Sequence, residues 1–357
     1  MELLRIYGSE ISYFTGKFEA YLRYKEIPYE RISRPPMRLP GLKGIAQMPV
    51  AELADGRWMT DTTPMIEWLE TQRPEPAVIP RDPLQAFFSR LLEDYADEWL
   101  WRPAMHYRWS YAADRNLLRR KIVAELTGHV PLPVFLKRQL VSTRQRVIYM
   151  RGDGVTRSTW NHIECIYLES LRQLQAIFQD RPFLLGGVPT LADFGFMASM
   201  FRHFGHDPTP STLMRDTAPE VYEWVARMWN ARASQSRGEL LPGVPDDWGP
   251  ILDQIGSQYL PHLNANAVAW KQRRKRFDVE IDGVGYQRLR TSRYRVWCLE
   301  RLRQHHEALP EPVQQKARIL LEEHGCWEPL WRVRDTASGV DPEGNAPFAP
   351  GHSMTGL

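Results

Sequence analysis

Four hydroxyls crowd the stretch where the first apolar run gives way to a helical pattern: Tyr7, Ser9, Ser12 and Thr15. Ser12 stands directly before the apolar-periodic run that begins at Tyr13, the position of a helix N-cap. A hydroxyl there has two uses. It satisfies an orphan backbone N–H of the first turn, and it can donate a charge-assisted hydrogen bond to an anion that the helix dipole already favours. A second pair, Asp61-Thr62, precedes a helical run near Pro64 with Ile66 and Leu69 on one face. This pair can serve as plain helix capping. Other constellations are thinner. In His203-Phe204-Gly205-His206-Asp207 two histidines stand three apart without further matched ligands, so no metal is expected. Cys165, Cys298 and Cys326 form neither a CxxC pair nor a metal-ligand spacing. No Gly-x-Ser-x-Gly elbow is present to support Ser-His-Asp hydrolysis.

A short series of elements must position these groups. Residues 3–7 read as a buried strand, 8–12 as a loop, and 13–25 as a helix with Phe14, Phe18, Tyr21 and Leu22 on its apolar face. Residues 27–32 alternate like a second strand, and the Pro-rich stretch 34–41 is irregular. Pro49-Val50-Ala51-Glu52-Leu53 alternates at period two, Asp55-Gly56 signals a hairpin, and Trp58-Met59 can return as the partner. Pro49 enters that strand without a ladder donor, and a cis Met48–Pro49 bond is one reason to keep it there. Much later, in FLLGGVPTLADF from Phe183 to Phe194, Thr190 can cap a helix while Asp193 reaches back to the cap. That is a reciprocal capping box with Asp as the shorter acid.

Taken in this order, the stretches resemble the glutathione transferases, in particular serine-type, bacterial-like members with a long C-terminal extension added. The resemblance implies a thioredoxin-like N-terminal domain that binds glutathione as a co-substrate, with Pro49 cis and glutathione held by Gln47, Met48, Pro49, Val50, Asp61 and Thr62. Asp61-Thr62 would take the γ-glutamyl end, with Asp for the commoner Glu and Thr for the commoner Ser. The phrase LxGxxPTxAD, met here from Leu184 to Asp193, opens the central helix of the family's all-helical second domain. The chemistry implied is activation of the glutathione thiol, which titrates near 8.5 when free, so that its thiolate attacks an electrophilic carbon or assists cleavage or isomerisation. Ser12 fits the serine-type pattern as the catalytic hydroxyl, although Tyr13 replaces the usual Pro; Ser9 and Tyr7 are the alternatives. Ser12 and Thr15 fill both positions where redox relatives carry CxxC, which argues against disulfide exchange. The wall of the second-substrate pocket is expected from Tyr7, Ser9 and Tyr13 together with Trp101, Met105, His106 and Trp109, a density suited to a small hydrophobic or aromatic electrophile. The family also implies a homodimer. A non-catalytic binding or assembly module of the same fold is the alternative reading.

Composition agrees with such a protein. The 357 residues are 43% hydrophobic and 25% charged, enough for two or three globular domains with a large core. A net charge of +3 argues against a nucleic-acid partner. Nothing approaches eighteen uninterrupted apolar residues, so no membrane partner is expected. The N-terminus lacks a signal-peptide layout and the cysteine count is odd, which points to a reducing, cytoplasmic setting. The expected fold class is an α/β thioredoxin-like domain followed by an all-α domain and a helical extension with a small β-hairpin. The expected boundaries are 1–75 for the glutathione-binding domain, 83–240 for the helical domain, 241–335 for the extension and 336–357 for a loosely ordered tail. The resemblance covers roughly residues 1–235. Beyond it, 251–270 reads as a helix broken near Pro261, the basic run 271–276 leads to a hairpin turning at Asp282-Gly283, and 292–306 and 311–324 read as helices. Trp248, Ile251, Leu252, Tyr259, Trp297 and Trp331 are too apolar for a solvated tail. Short helices and a lone hairpin are marginal by themselves, so this segment is expected to pack on the helical domain and help close the second-substrate pocket.

Overall fold

The computed structural model describes residues 3–33, 47–128 and 130–349. The Pro-rich stretch expected at 34–41 and the last part of the tail, 350–357, lie outside the described residues.

The chain opens with a four-stranded sheet of order β2-β1-β3-β4. Its strands are β1 (Leu4–Tyr7), β2 (Tyr29–Ile32), β3 (Val50–Glu52) and β4 (Trp58–Thr60). β1 and β2 are parallel, which requires a crossover, and α1 (Tyr13–Tyr24) supplies it. β3 runs antiparallel to both of its neighbours, and Gly56 at φ 83° makes the tight return to β4. Period-two alternation sorts the side chains. Leu4, Ile6, Ala51 and Met59 face the core that α1 shares with α2 (Thr62–Gln72), where Phe18, Leu22, Ile66 and Leu69 are buried. Tyr7, Val50, Ile32 and Trp58 cluster on the opposite face.

Eight helices follow: α3 (Pro83–Glu98), α4 (Trp101–Ser110), α5 (Ala112–Leu126), α6 (Val134–Arg144), α7 (Trp160–Asp180), α8 (Leu191–Ser199), α9 (Pro208–Thr217) and α10 (Pro219–Asn230). α8 is buried along its whole length and starts from the expected capping box. Asp193 accepts from the Leu184 and Thr190 backbone N–H groups at 2.9 Å each and from Trp224 Nε1 at 3.3 Å. Gly195 lets α8 cross α3 closely, since a Cβ there would stand 2.6 Å from Glu93 Cα. α4 is buried on nearly every side and α5 is polar, so neither shows a clear apolar stripe. On α7, Ile163, Tyr167, Leu171 and Leu174 define the buried stripe, and Leu168 falls off it at 40% exposure.

The extension comprises α11 (Gly249–Gln254), α12 (Leu260–Lys271), a hairpin of β5 (Arg276–Ile281) and β6 (Val284–Arg290), then α13 (Arg293–Glu307), α14 (Glu311–Glu323) and α15 (Trp327–Trp331). Pro261 does not break the chain's helical course. It lies in the first turn of α12, where a missing N–H is tolerated, and a wide π-type turn at Ile255–Tyr259 links α11 to it. These elements share one hydrophobic cluster with the first two domains. α13 and α14 pack on α3, Trp248 Nε1 donates to the Leu184 carbonyl at 3.0 Å, and Tyr259 donates to Asp94 at 2.7 Å. The tail is seated through residue 349 where a loose one was expected. Ser338 bonds Glu300, the Thr60 N–H donates to the Pro347 carbonyl at 2.9 Å, and Phe348 meets Trp68 edge-on.

Candidate functional site

Strand register assembles the candidate site. Tyr7, Val50 and Thr60 stand opposite one another across β1, β3 and β4. The residues that leave this row are therefore neighbours in space: the loop from Gly8 to Ser12 after β1, Pro49 before β3, and Asp61-Thr62 after β4. The Met48–Pro49 bond is cis, as the resemblance implies. Pro49 and Val50 are buried, while Gln47 and Met48 are partly exposed at the mouth of β3. Val50 itself sits within the ladder, flanked by Tyr7 and Thr60.

The three candidate hydroxyls differ in what they already bind. Ser9 is buried and donates to Glu125 Oε2 at 2.5 Å. Tyr7 donates to Glu52 Oε2 at 2.9 Å, with its ring against Trp58 on the sheet face turned away from α1. Ser12 caps α1 in extended backbone geometry, and its Oγ accepts from the Thr15 N–H at 3.4 Å. It is partly exposed, and among the described residues its proton has no acceptor. Thr15 is buried beneath the loop, where its Oγ1 accepts from the Ser9 N–H at 3.4 Å.

Asp61 occupies the N-cap position of α2 at φ 70°, yet its side chain makes no capping bond. A non-glycine residue held in that region is typical of a site where the surrounding structure imposes the conformation. Its Oδ2 instead accepts from the Tyr294 hydroxyl at 2.8 Å. Burial pushes its carboxyl up to about 6, against the hydrogen bond from Tyr294 and the charge of Lys17, which lower it. Thr62 is buried beside it. Behind the pair, fully buried Lys17 forms ion pairs with Glu93 and Asp97 and donates to Thr63 Oγ1 at 3.2 Å. Burial alone would lower the Lys17 ammonium, but Asp97 and Glu93 outweigh it and hold it above its ordinary value.

A narrow crevice of about 20 Å³ lies beside α4, lined by Glu98, Trp101, Tyr149, Asp153, Arg290 and Tyr294. That is room for about one water, far below the roughly 300–1,000 Å³ of small-molecule sites. Trp101 connects the cleft to the N-terminus of α1: its ring meets Tyr13 edge-on at 5.5 Å and stacks on Phe14 at 6.2 Å. Tyr13 is buried and donates to the Ala96 carbonyl at 2.5 Å. Met105, His106 and Trp109 are buried within the helical domain. α4 turns His106 toward α7, where its Nε2 meets Glu164 at 2.8 Å and its Nδ1 meets Ser110 Oγ at 2.9 Å. Burial lowers the imidazole below its usual range. Of the residues expected to wall the pocket, Trp101 lines this cleft, whereas Tyr7 and Ser9 lie on the sheet side. Tyr149, Arg290 and Tyr294 line it without any local signal in the sequence, because they arrive from a distant turn and from the extension. Arg290 bonds the Ile148 carbonyl at 2.9 Å and has no carboxylate partner among the described residues.

Two family models match the chain in the order the fold requires: the N-terminal domain of glutathione S-transferase over residues 11–72 and its C-terminal domain over residues 167–231. No curated protein matches in sequence. Solved structures with a similar course include a GST-like protein from Pseudomonas syringae, 18% identical, covering 68% of this chain and 78% of that one at a TM-score of 0.42. A glutathione S-transferase from Methylobacterium radiotolerans, in complex with glutathione sulfonate, is 17% identical, covering 63% and 90% at a TM-score of 0.38. A beta-etherase from Sphingobium sp. strain SYK-6 is 18% identical, covering 63% and 94% at a TM-score of 0.43. These likenesses are shallow, so the assignment rests on the two family matches.

Proposed function

We propose, for a chain that belongs to the glutathione S-transferase family, that it is a glutathione-dependent transferase whose Ser12 activates the thiol. The observation that carries this reading is the row Tyr7, Val50 and Thr60, which brings Ser12, cis-Pro49 and Asp61-Thr62 to one edge of the sheet. Glutathione would lie along that edge. Its γ-glutamyl ammonium would meet Asp61, its γ-glutamyl carboxylate the N-terminus of α2 with Thr62, and its central backbone the exposed mouth of β3 at Gln47 and Met48. Ser12 would donate its uncommitted proton to the sulfur at the N-terminus of α1, favouring the thiolate. Ser9 and Tyr7 have already given theirs to Glu125 and Glu52. The thiolate would then form a C–S bond to the second substrate, whose leaving group departs with the electron pair of the broken bond.

The second substrate would rest on Trp101 in the cleft. The crevice would have to widen to admit it, and Arg290 at the rim suits a substrate with a carboxylate. The extension closes this cleft through Arg290 and Tyr294. A second reading, a non-catalytic module of the same fold, is favoured by one observation: Tyr294 already fills part of the Asp61 acceptor.

Calorimetric titration with glutathione, followed by the ultraviolet band of the bound thiolate, separates the two. Binding with a thiolate band at neutral pH is expected. Binding without the band, or no binding at any pH, overturns the transferase reading and favours the non-catalytic module.

A further inference from the structure

The hairpin of α5 and α6 carries features that glutathione chemistry does not use. α6 packs chiefly on α5. Its outer face is open along Leu136 and Leu140, one helical turn apart, with Val134 and Phe135 beside them, Phe135 at 70% exposure. Large apolar side chains scattered singly on a surface need no explanation, but a continuous stripe of them does.

The same hairpin is strongly basic. Residues 112–150 contain eight Lys and Arg against two carboxylates, a local charge of +6 in a chain whose whole net charge is +3. Both carboxylates are engaged elsewhere. Asp114 takes the N–H and hydroxyl of Thr209, and Glu125 takes Ser9, Ser33 and Arg31. Among the described residues none of the eight cations forms an ion pair. They crowd one another instead: burial, and then the charges of Arg146 and Arg119, pull the Arg115 guanidinium below its ordinary value.

An exposed apolar stripe and an uncompensated cationic cluster are each unfavourable in water. One partner relieves both, an anionic surface with hydrocarbon behind it. We propose that the outer face of α6 docks in the plane of an anionic lipid bilayer, with Phe135, Leu136 and Leu140 entering the acyl boundary and the hairpin's arginines among the lipid phosphates. A second copy of this chain fits the face poorly, since it would set +6 against +6. An acidic protein helix would need a groove, whereas half-exposed side chains along one helix form a ridge. The contact is peripheral, as no helix among the described residues is long and apolar enough to cross a membrane. The sequence expectation of no membrane partner rested on spanning segments and does not bear on a surface contact.

The test is co-sedimentation of the full chain with vesicles of phosphatidylcholine alone and of phosphatidylcholine mixed with phosphatidylserine. The protein is expected to pellet with the mixed vesicles and to be released by raised salt. Phe135→Ser with Leu140→Ser should lower binding about tenfold or more, because the inserted apolar area is lost. Arg120→Glu with Arg144→Glu should do the same, at about fivefold or more per charge. All four positions are on the surface, so melting should be unchanged. Equal pelleting with both vesicle types, or pelleting with neither, overturns the proposal. So does capture by polyglutamate without lipid, or a concentration-dependent dimer that the Phe135→Ser, Leu140→Ser variant disperses.

Discussion

The hydroxyl of Tyr294 donates to the carboxylate of Asp61 across 2.8 Å, tying the first turn of α13 to the residue that precedes α2. The two lie 233 positions apart, and Tyr294 is outside both segments matched by the family models. The extension thus supplies a donor to the acid on which the glutathione reading depends. A carboxylate has two oxygens, and Tyr294 takes Oδ2, so an ammonium can still approach the other. A hydrogen bond donated to the charged form also favours that form.

The first prediction follows from the protonation state of Asp61. Burial holds its carboxyl up at about 6, and only the ionised form attracts an ammonium. A raised acid is neutral below its pKa and charged above it, so glutathione affinity should climb as pH rises through about 6 and then level off. Asp61→Ala should abolish the climb and weaken binding by about 1.5–3 kcal/mol at neutral pH, as for the loss of a hydrogen bond to a charged group. Calorimetry across a pH series at constant ionic strength checks both. A flat profile in the native chain would show that Asp61 takes no part in binding.

The Tyr294→Phe variant should move that profile upward, because it removes a donor to the carboxylate while keeping the ring. A donor worth about 1.4 kcal/mol moves the midpoint by one pH unit, so affinity at pH 6 should fall about fivefold and at pH 8 stay unchanged. A purely structural role for Tyr294 would weaken binding equally at every pH.

Ser12→Ala tests the thiol activator. Losing one charge-assisted donor, about 1.5–3 kcal/mol, should lower turnover at neutral pH by roughly ten- to a hundredfold and shift the pH–rate profile toward alkaline pH. The glutathione dissociation constant should change little. Ser9→Ala should mainly cost stability, since it breaks the bond to Glu125 that ties the loop to α5. Full turnover in Ser12→Ala, with activity lost in Tyr7→Phe, would move the role to Tyr7.

Much of this arrangement is legible in local sequence, for a physical reason. Asp55-Gly56 makes its own turn and Thr190 and Asp193 cap their own helix, so short-range chemistry states both elements. The strand register that gathers Ser12, Pro49 and Asp61 follows from the same alternation. Trp109 and His106 show where local reading stops. Their types suit a pocket, but α4 is enclosed, and the turn of the helix carries them into the interior. Tyr294 is the opposite case. Nothing around Ser292-Arg293-Tyr294 points to Asp61, because the contact depends on how the whole extension folds back.

That fold-back can be tested by deleting residues 242–357. Three bonds across the boundary would be lost together: Tyr259 to Asp94, Trp248 to the Leu184 carbonyl, and Tyr95 to Gln254. α3 would then expose Tyr95 and Trp99, which are now buried, and Asp94 would lose its tyrosine donor. Glu98 would lose Arg295, its buried ion-pair partner, and α3 would lose the apolar cover that α13 and α14 now give it. Even a few kcal/mol is a large fraction of a domain's stability. The truncated chain should therefore melt well below the full chain and tend to aggregate through the uncovered face of α3. If enough folds to assay, Asp61 should be freed from Tyr294 and the cleft opened on the Arg290 side, so selectivity for carboxylated substrates should fall more than affinity for glutathione. An unchanged melting transition and unchanged kinetics in the truncated chain would mean that the extension is a separate unit with no part in the site.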